Sequence, residues 1–240
     1  MNRNTAATFT HSTGTHNTGT HSTGTHSTGT QNNGTHSNAS RLTNLGIGLM
    51  IILSVAIGLY AIAFQTGILG SPEIQAKFAE WPVFSSMHII GGAVVIITGG
   101  FQFWPKLRTD HINFHRWLGR IYLLFVLVGG VGGLVIAPRS DGGLVAHFGF
   151  GMLAVVWLFS GWQAYISIRR GDIASHRAWM MRNYSMTFGA VMLRVYLGLF
   201  AAAGVDFVDA YPTVSWIAWV PNLILIEWYL ALKAAKRITT

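Results

Sequence analysis

The sequence predicts an all-α integral membrane protein with six transmembrane helices, in which helices 2–5 form a four-helix core and both termini are cytoplasmic. Of the 240 residues, 51% are hydrophobic and 10% are charged, whereas soluble domains carry roughly 25% charged residues. The mean hydropathy is +0.42. Beyond residue 40, apolar residues form six runs, each near the ~20 residues that a helix needs to cross a bilayer.

Residues 1–40 form a separate polar region. From His11 onward a five-residue unit repeats, and nothing in these repeats can bury apolar surface. We therefore predict a disordered tail at 1–40 and a six-helix transmembrane domain at 41–240. Metal binding by the tail is the alternative interpretation, because it contains five histidines: His11, His16, His21, His26 and His36.

Short connections join the six predicted spans and leave no room for a soluble domain. Two glycine pairs, Gly129-Gly130 and Gly132-Gly133, predict close helix packing in the third span, and Gly142-Gly143 predicts a tight turn after it. We place the spans at 44–64, 83–104, 116–137, 144–168, 180–203 and 214–235.

Lysine and arginine are distributed unequally between the two sides of this bundle. Thirteen lie on the side of the termini, and only Lys77 and Arg139 lie on the other side. The positive-inside rule then predicts cytoplasmic termini and a location in the cell (inner) membrane. Because the basic residues behind the net charge of +8 flank apolar spans, the predicted partner is the lipid bilayer and not nucleic acid.

Four histidines alternate between the two leaflets. His88 and His147 lie near the outer ends of helices 2 and 4, whereas His115 and His176 lie at the inner ends of helices 3 and 5, with His111 as a spare. A haem iron held by two imidazoles needs one histidine from each of two facing helices at matched depth. The pattern predicts metal ligation in two haem b groups, one per leaflet, which together would move an electron across the membrane.

Residues near these histidines suit a bound haem. Gly92 and Gly99 share a helix face with His88 and would admit a flat macrocycle. Arg116 and Arg120 follow His115 and are candidates to hold haem propionates. Ordinary anchoring of arginines and histidines at the membrane surface is the alternative interpretation.

Two charged residues lie inside apolar spans. Arg194 falls in the fifth span and Glu227 in the sixth, and an unpaired charge at either depth would be costly. We predict that they neutralise each other and hold the two helices together. The alternative is a proton or anion path with Arg194 as its charged centre.

Several motifs stand out from Phe84 onward. They are Met87-His88-Ile89-Ile90-Gly91-Gly92, Gly100-Phe101-Gln102-Phe103, His115-Arg116-Trp117-Leu118-Gly119-Arg120-Ile121-Tyr122, His176-Arg177-Ala178-Trp179-Met180-Met181-Arg182, Leu193-Arg194, and Trp219-Val220-Pro221-Asn222 with Glu227. In these motifs the chain resembles a family of bacterial membrane proteins known as domain of unknown function 2306. The layout is also similar to the six-helix di-haem cytochromes b that carry electrons from ascorbate across membranes. That resemblance implies pairing of His88 with His147 and of His115 with His176.

Three functional hypotheses follow. The first is a b-type di-haem electron carrier, and so a transmembrane oxidoreductase, that links a cytoplasmic donor to an outer acceptor such as a quinone or ferric iron. It requires no catalytic side chain. The second is a transport or assembly protein for haem or a metal, and the third is a structural membrane subunit whose histidines only pack and hydrogen-bond.

Overall fold

The structure, a computed structural model, describes residues 33–238, and every regular element within them is helical. The predicted tail at 1–40 lies outside the described residues as far as residue 32, and the backbone is helical from Asn33. The α-helices are α1 (Asn33–Gln65), α2 (Pro72–Ala79), α3 (Pro82–Gln102), α4 (Pro105–Thr109), α5 (Ile112–Ile136), α6 (Gly143–Arg169), α7 (Ile173–Thr187), α8 (Gly189–Ala202), α9 (Phe207–Ile217) and α10 (Val220–Ile238), and a 3-10 turn spans Ala137–Arg139.

Six stretches of the described chain are long and apolar enough to cross a membrane, which confirms the predicted all-helical fold with six spans. The fifth and sixth begin at Ile173 and Phe207, seven residues before the predicted starts at 180 and 214. Their first turns contain His176 and Asp209. These polar residues lower the local hydropathy, so a prediction based on hydropathy starts both spans too late. His176 therefore lies inside the first turn of a helix and not before it. The spans are Thr43–Gln65, Pro82–Gln102, Ile112–Arg139, Gly143–Arg169, Ile173–Ala202 and Phe207–Lys236.

Local signals fix where several helices start. Pro82 and Pro105 occupy the first turns of α3 and α4. Backbone N–H groups in a first turn have no intrahelical partner, so the N–H that proline lacks costs no hydrogen bond there. Asp172 caps α7 by accepting a hydrogen bond of 2.9 Å from the backbone N–H of Ser175. Hydrogen bonds from Ser175 hold the pKa of Asp172 below its usual value. The cap therefore stays ionised at neutral pH.

The fifth and sixth spans each contain a break between two helices. In the fifth, α7 ends at Thr187, whose hydroxyl bonds back to the Asn183 carbonyl at 3.1 Å, a pattern that bends helices. In the sixth, Pro221 has no N–H to donate to the carbonyl of Ile217, where α9 ends. The second break places Trp219 in the core, where it is 5% exposed.

The hydrophobic core is built mainly from the second to fifth spans, as predicted. Tyr122 and Val95 are fully buried at its centre. The sixth span adds one large buried side chain to it, that of Trp219, which lies in the break between α9 and α10. The buried members are Val95, Tyr122, Val126, Trp157, Tyr184, Met186 and Trp219.

Four glycines of α3 and α5, which we call the glycine seam, bring these two helices into backbone contact. A Cβ atom at Gly91 would lie 2.7 Å from Cα of Gly129, and one at Gly132 would lie 2.6 Å from the Phe84 carbonyl oxygen. Small residues drive helix association in membranes by allowing such close approach. The predicted close packing is thus confirmed. The seam consists of Gly91, Gly129, Gly132 and Gly133.

The predicted ion pair between Arg194 and Glu227 is wrong. Glu227 instead accepts hydrogen bonds from Arg182, from Nε at 2.5 Å and from Nη2 at 2.9 Å. The reason is depth: Arg182 lies nine residues after the span start at Ile173, and Glu227 lies nine residues before the span end at Lys236. The two side chains are therefore about 14 Å from the same end of the bundle, whereas Arg194 lies about 12 Å from the opposite end.

We expect a double-mutant cycle between Arg182→Ala and Glu227→Ala to give a coupling energy of about 0.5–1 kcal/mol, measured by unfolding in mixed micelles. The value is modest because polar contacts between membrane helices average about 0.6 kcal/mol, since the unfolded chain in the micelle also finds partners for these groups. The matched cycle between Arg194→Ala and Glu227→Ala should give no coupling. Coupling confined to the second cycle would contradict the observed pairing.

Candidate functional site

A cavity of about 440 Å³ lies near the end of the bundle opposite to the termini. We call this the cavity end and the opposite end the terminal end. Residues of α1, α2, α3, α5, α6, α7, α8 and α9 and of the 3-10 turn line it. Its size falls within the ~300–1,000 Å³ of small-molecule sites, and such sites combine apolar walls with few polar groups. The aromatic side chains on its walls are Tyr60, Phe64, Phe78, Trp81, Phe150, Trp157, Phe207 and Tyr211.

His88 lies on the cavity wall with a fixed ring orientation. Its Nδ1 is 3.1 Å from the carbonyl oxygen of Gly129. Because a carbonyl oxygen only accepts, Nδ1 donates and the neutral ring keeps its lone pair on Nε2. A Cβ at Gly133 would lie 2.7 Å from His88 Nδ1, so this glycine of the seam makes room for the imidazole.

The two glycines predicted to make room for a macrocycle have different surroundings. Gly92 lines the cavity, and a Cβ there would meet nothing within 4 Å. Gly99 faces the core instead, where a Cβ would lie 2.5 Å from the Tyr184 ring and 2.6 Å from the Tyr122 ring. The prediction is therefore wrong for Gly99: seven residues of helix leave it on nearly the same face as Gly92 but about 10 Å further along the axis, beside the core and not beside the cavity.

The short helix α2 lines the mouth of the cavity, and it is held there by one contact from α2 itself and one from Trp81, which follows it. Lys77 forms an ion pair with Asp141, and the guanidinium of Arg139 lies 3.8 Å from the centre of the Trp81 ring. Asp141 precedes the predicted tight turn, which is confirmed because Gly142 has a φ of +88°. These contacts join α2 to the connection between α5 and α6.

His147 does not line the cavity. Its Nε2 is 2.9 Å from the Ser140 carbonyl oxygen and must donate to it, so Nε2 is committed to the chain's own backbone. The structure thus places His88 on the cavity wall and His147 on the connection that borders the mouth. A shared ligand would require His147 to exchange its backbone hydrogen bond for that ligand.

At the terminal end, His115 and His176 occupy equivalent positions. Each is the fourth residue of its helix, α5 or α7. His176 Nδ1 is 2.8 Å from the Ala164 carbonyl oxygen, which leaves its Nε2 lone pair free, as in His88. His115 Nδ1 is buried and has no hydrogen-bond partner among the described atoms. Both histidines therefore keep a nitrogen with coordinating capacity.

Arginines surround these two histidines. Burial, and then the positive charge of Arg177, lower the pKa of Arg108. Arg116 and Arg120 are exposed on α5, and neither ion pair in the described part of the chain includes them. The terminal end is therefore strongly basic and suited to anionic groups such as lipid phosphates or carboxylates.

A buried hydrogen-bond network links the cavity wall to the core, and the sequence reading did not identify it. Asn183 donates to the Trp157 carbonyl at 2.7 Å and to Ser160 Oγ at 2.8 Å, and accepts from the Tyr122 hydroxyl at 2.6 Å. Trp157 Nε1 donates to Thr187 Oγ1 at 2.9 Å. Polar residues at positions 183 and 187, one turn apart inside an apolar span, were the available signal.

Among the described residues, no group of three or more His, Asp or Glu side chains is arranged to hold a metal ion. Haem ligation needs only one or two histidines, which the chain supplies at both ends. Fold and site together define a six-span, all-helical membrane protein with a histidine on the wall of an open cavity near one end. The chain belongs to the DUF2306 family, described as a predicted membrane protein, whose model matches residues 85–230. No match was found among curated proteins or among solved structures.

Proposed function

We propose that this protein is a b-type haem protein that carries electrons across the cell membrane. The cavity haem would be held by His88, and a second haem at the terminal end by His115 and His176. With the terminal end in the cytoplasm, electrons would pass from a cytoplasmic donor to an outer acceptor such as a quinone.

The observation that carries the proposal is the shared orientation of two histidines at opposite ends of the bundle. His88 and His176 each commit Nδ1 to a backbone carbonyl, at 3.1 Å and 2.8 Å. Histidines that ligate metals commonly use this second hydrogen bond to fix the tautomer and the ring orientation. Structural histidines need no free Nε2, so a free Nε2 at both ends favours ligation over packing.

The cavity also supports the proposal. His88 and Gly92 lie on the same wall, and the remaining walls are largely apolar and aromatic. Such walls exclude water from a bound group, and the Gly129 carbonyl increases the basicity of the His88 ring. When bound, haem supplies the reversible one-electron chemistry that electron transfer requires. His147 would become the second ligand at the cavity only after its hydrogen bond to the Ser140 carbonyl oxygen is broken.

The test is a haem count on the full-length protein, purified in detergent after expression with ample haem. We expect reduced-minus-oxidised spectra with b-type bands and two haems per chain by pyridine haemochrome. His88→Ala should lose one haem and His176→Ala the other. His111→Ala is the matched control at the terminal end, because His111 is exposed and its side chain does not cap α5.

The His147→Ala variant separates two forms of the proposal. Loss of the cavity haem would assign His147 as its second ligand, whereas retention with a high-spin spectrum would leave His88 as the single ligand. A folded protein that stays colourless with ample haem would contradict the electron-carrier function. Transport or structural roles would then be favoured.

A further inference from the structure

We propose that Arg194 is the binding residue for a carboxylate on an amphiphilic ligand in the cavity. The inference deepens the function proposed above, because a haem propionate is one source of such a carboxylate. A long-chain fatty acid is the other source. Both combine a large apolar body with a single planar anionic group at the point of contact.

Arg194 is a cation without an anionic partner in the described part of the chain. It lies on α8 and lines the cavity. Nη1 donates to the Ala190 carbonyl at 2.8 Å, and the guanidinium lies 5.3 Å from the centre of the Tyr60 ring. Both described ion pairs involve other residues, including Glu227, the carboxylate that had been its predicted partner.

The position of Arg194 makes this lack of an anion costly. It lies eight residues before the end of its span at Ala202, or about 12 Å along the helix axis. Charged side chains at such depth in membrane proteins usually face the protein interior and are paired, and they mark ligand or ion sites. A ligand anion would supply the missing charge.

The other charges of the cavity are already balanced or engaged. Asp141 is the only carboxylate among the described lining residues, and it is paired with Lys77. Arg139 stacks on Trp81 at the mouth. Arg139 has no carboxylate partner among the described residues either, but it is the last residue of its span, so Arg194 is the lining cation that lies away from the end of the bundle without an anion.

One guanidinium within apolar and aromatic walls selects the class of ligand. A monoanionic carboxylate matches its charge and the fork geometry of its N–H donors. A doubly charged phosphate would bring one negative charge more than Arg194 alone balances at its depth, because Arg139 lies at the end of its span. The aromatic walls require that the rest of the ligand be apolar.

The test compares acids with their esters on the full-length, detergent-purified protein prepared without haem. The probes are haemin and its dimethyl ester, followed by Soret absorbance, and cis-parinaric acid and its methyl ester, followed by fluorescence. We expect the wild-type protein to bind the acid of at least one pair roughly 10- to 100-fold more tightly than the ester. Arg194→Leu should abolish this preference, and Arg194→Lys should retain part of it.

Arg170→Leu is the matched control, because Arg170 is an exposed arginine at the terminal end. It should keep the full preference for the acid. Arg194→Leu removes an uncompensated charge from an apolar span and is expected to fold. If it does not, the comparison of acid with ester on the wild-type protein still decides the question.

The outcomes separate the inference from the proposed function. Preference for parinaric acid without any haem binding would support a fatty-acid site and contradict the electron-carrier function. Preference for haemin over its ester would support a propionate contact. Equal binding of acid and ester in both pairs, or a preference that survives in Arg194→Leu, would overturn the inference even if haem binds.

Discussion

Gly91→Ala is expected to lower the melting temperature of the detergent-purified protein by roughly 5–10 °C, which corresponds to about 2–3 kcal/mol. The added Cβ would lie 2.7 Å from Cα and 2.8 Å from N of Gly129. Both are backbone atoms, so the clash is relieved only if α3 and α5 move apart. Because Gly129 also orients His88 through its carbonyl, we further expect weaker haem binding.

Gly92→Ala is the matched control, since it adds the same methyl group to the same helix one residue later. A Cβ at Gly92 would meet nothing within 4 Å, and alanine is favoured over glycine in a helix by about 1 kcal/mol. Its melting temperature should therefore stay the same or rise slightly. Equal losses in Gly91→Ala and Gly92→Ala would contradict the close contact at the glycine seam.

The second large effect is expected for Asn183→Leu, which should destabilise the protein by about 2–3 kcal/mol. Asn183 is fully buried and makes three hydrogen bonds, to Trp157, Ser160 and Tyr122. Leucine has a similar size but offers no donor or acceptor. The Tyr122 hydroxyl would keep only its longer bond of 3.2 Å to Thr187.

The measurement is unfolding in mixed micelles, with Asn113→Leu as the control. Asn113 is an exposed asparagine on α5, so the same substitution there should change stability by less than about 0.5 kcal/mol. Tyr122→Phe should remove about 1 kcal/mol, because it deletes one member of the network and keeps the ring. If Asn183→Leu behaves like Asn113→Leu, the network does not stabilise the fold.

The sequence by itself determined the fold class and the number of spans. Hydropathy is a local property, and a helix that crosses lipid must satisfy its own backbone hydrogen bonds. Six apolar runs were therefore sufficient to predict six helices. The glycine pairs at 129–130 and 132–133 similarly predicted close packing, because the absence of a side chain is also visible in the sequence.

Boundaries were less predictable where helices begin with polar turns. The fifth span starts at Ile173 because Asp172 caps it, although His176 and Arg177 lower the hydropathy of its first turn. The sixth span likewise starts at Phe207 and not at 214, and this shift of seven residues placed Glu227 too close to the depth of Arg194. An error in a helix end therefore became an error in an ion pair.

Only the tertiary structure decided which way the side chains face. Helix rotation and the breaks near Phe188 and Trp219 depend on packing between spans, which a single sequence does not encode locally. Packing placed His88 on a cavity wall, turned His147 towards the Ser140 carbonyl and left Arg194 without a partner carboxylate in the described part of the chain. Depth along a helix follows from counting residues, whereas the direction of a side chain around it follows from the neighbours against which the helix packs.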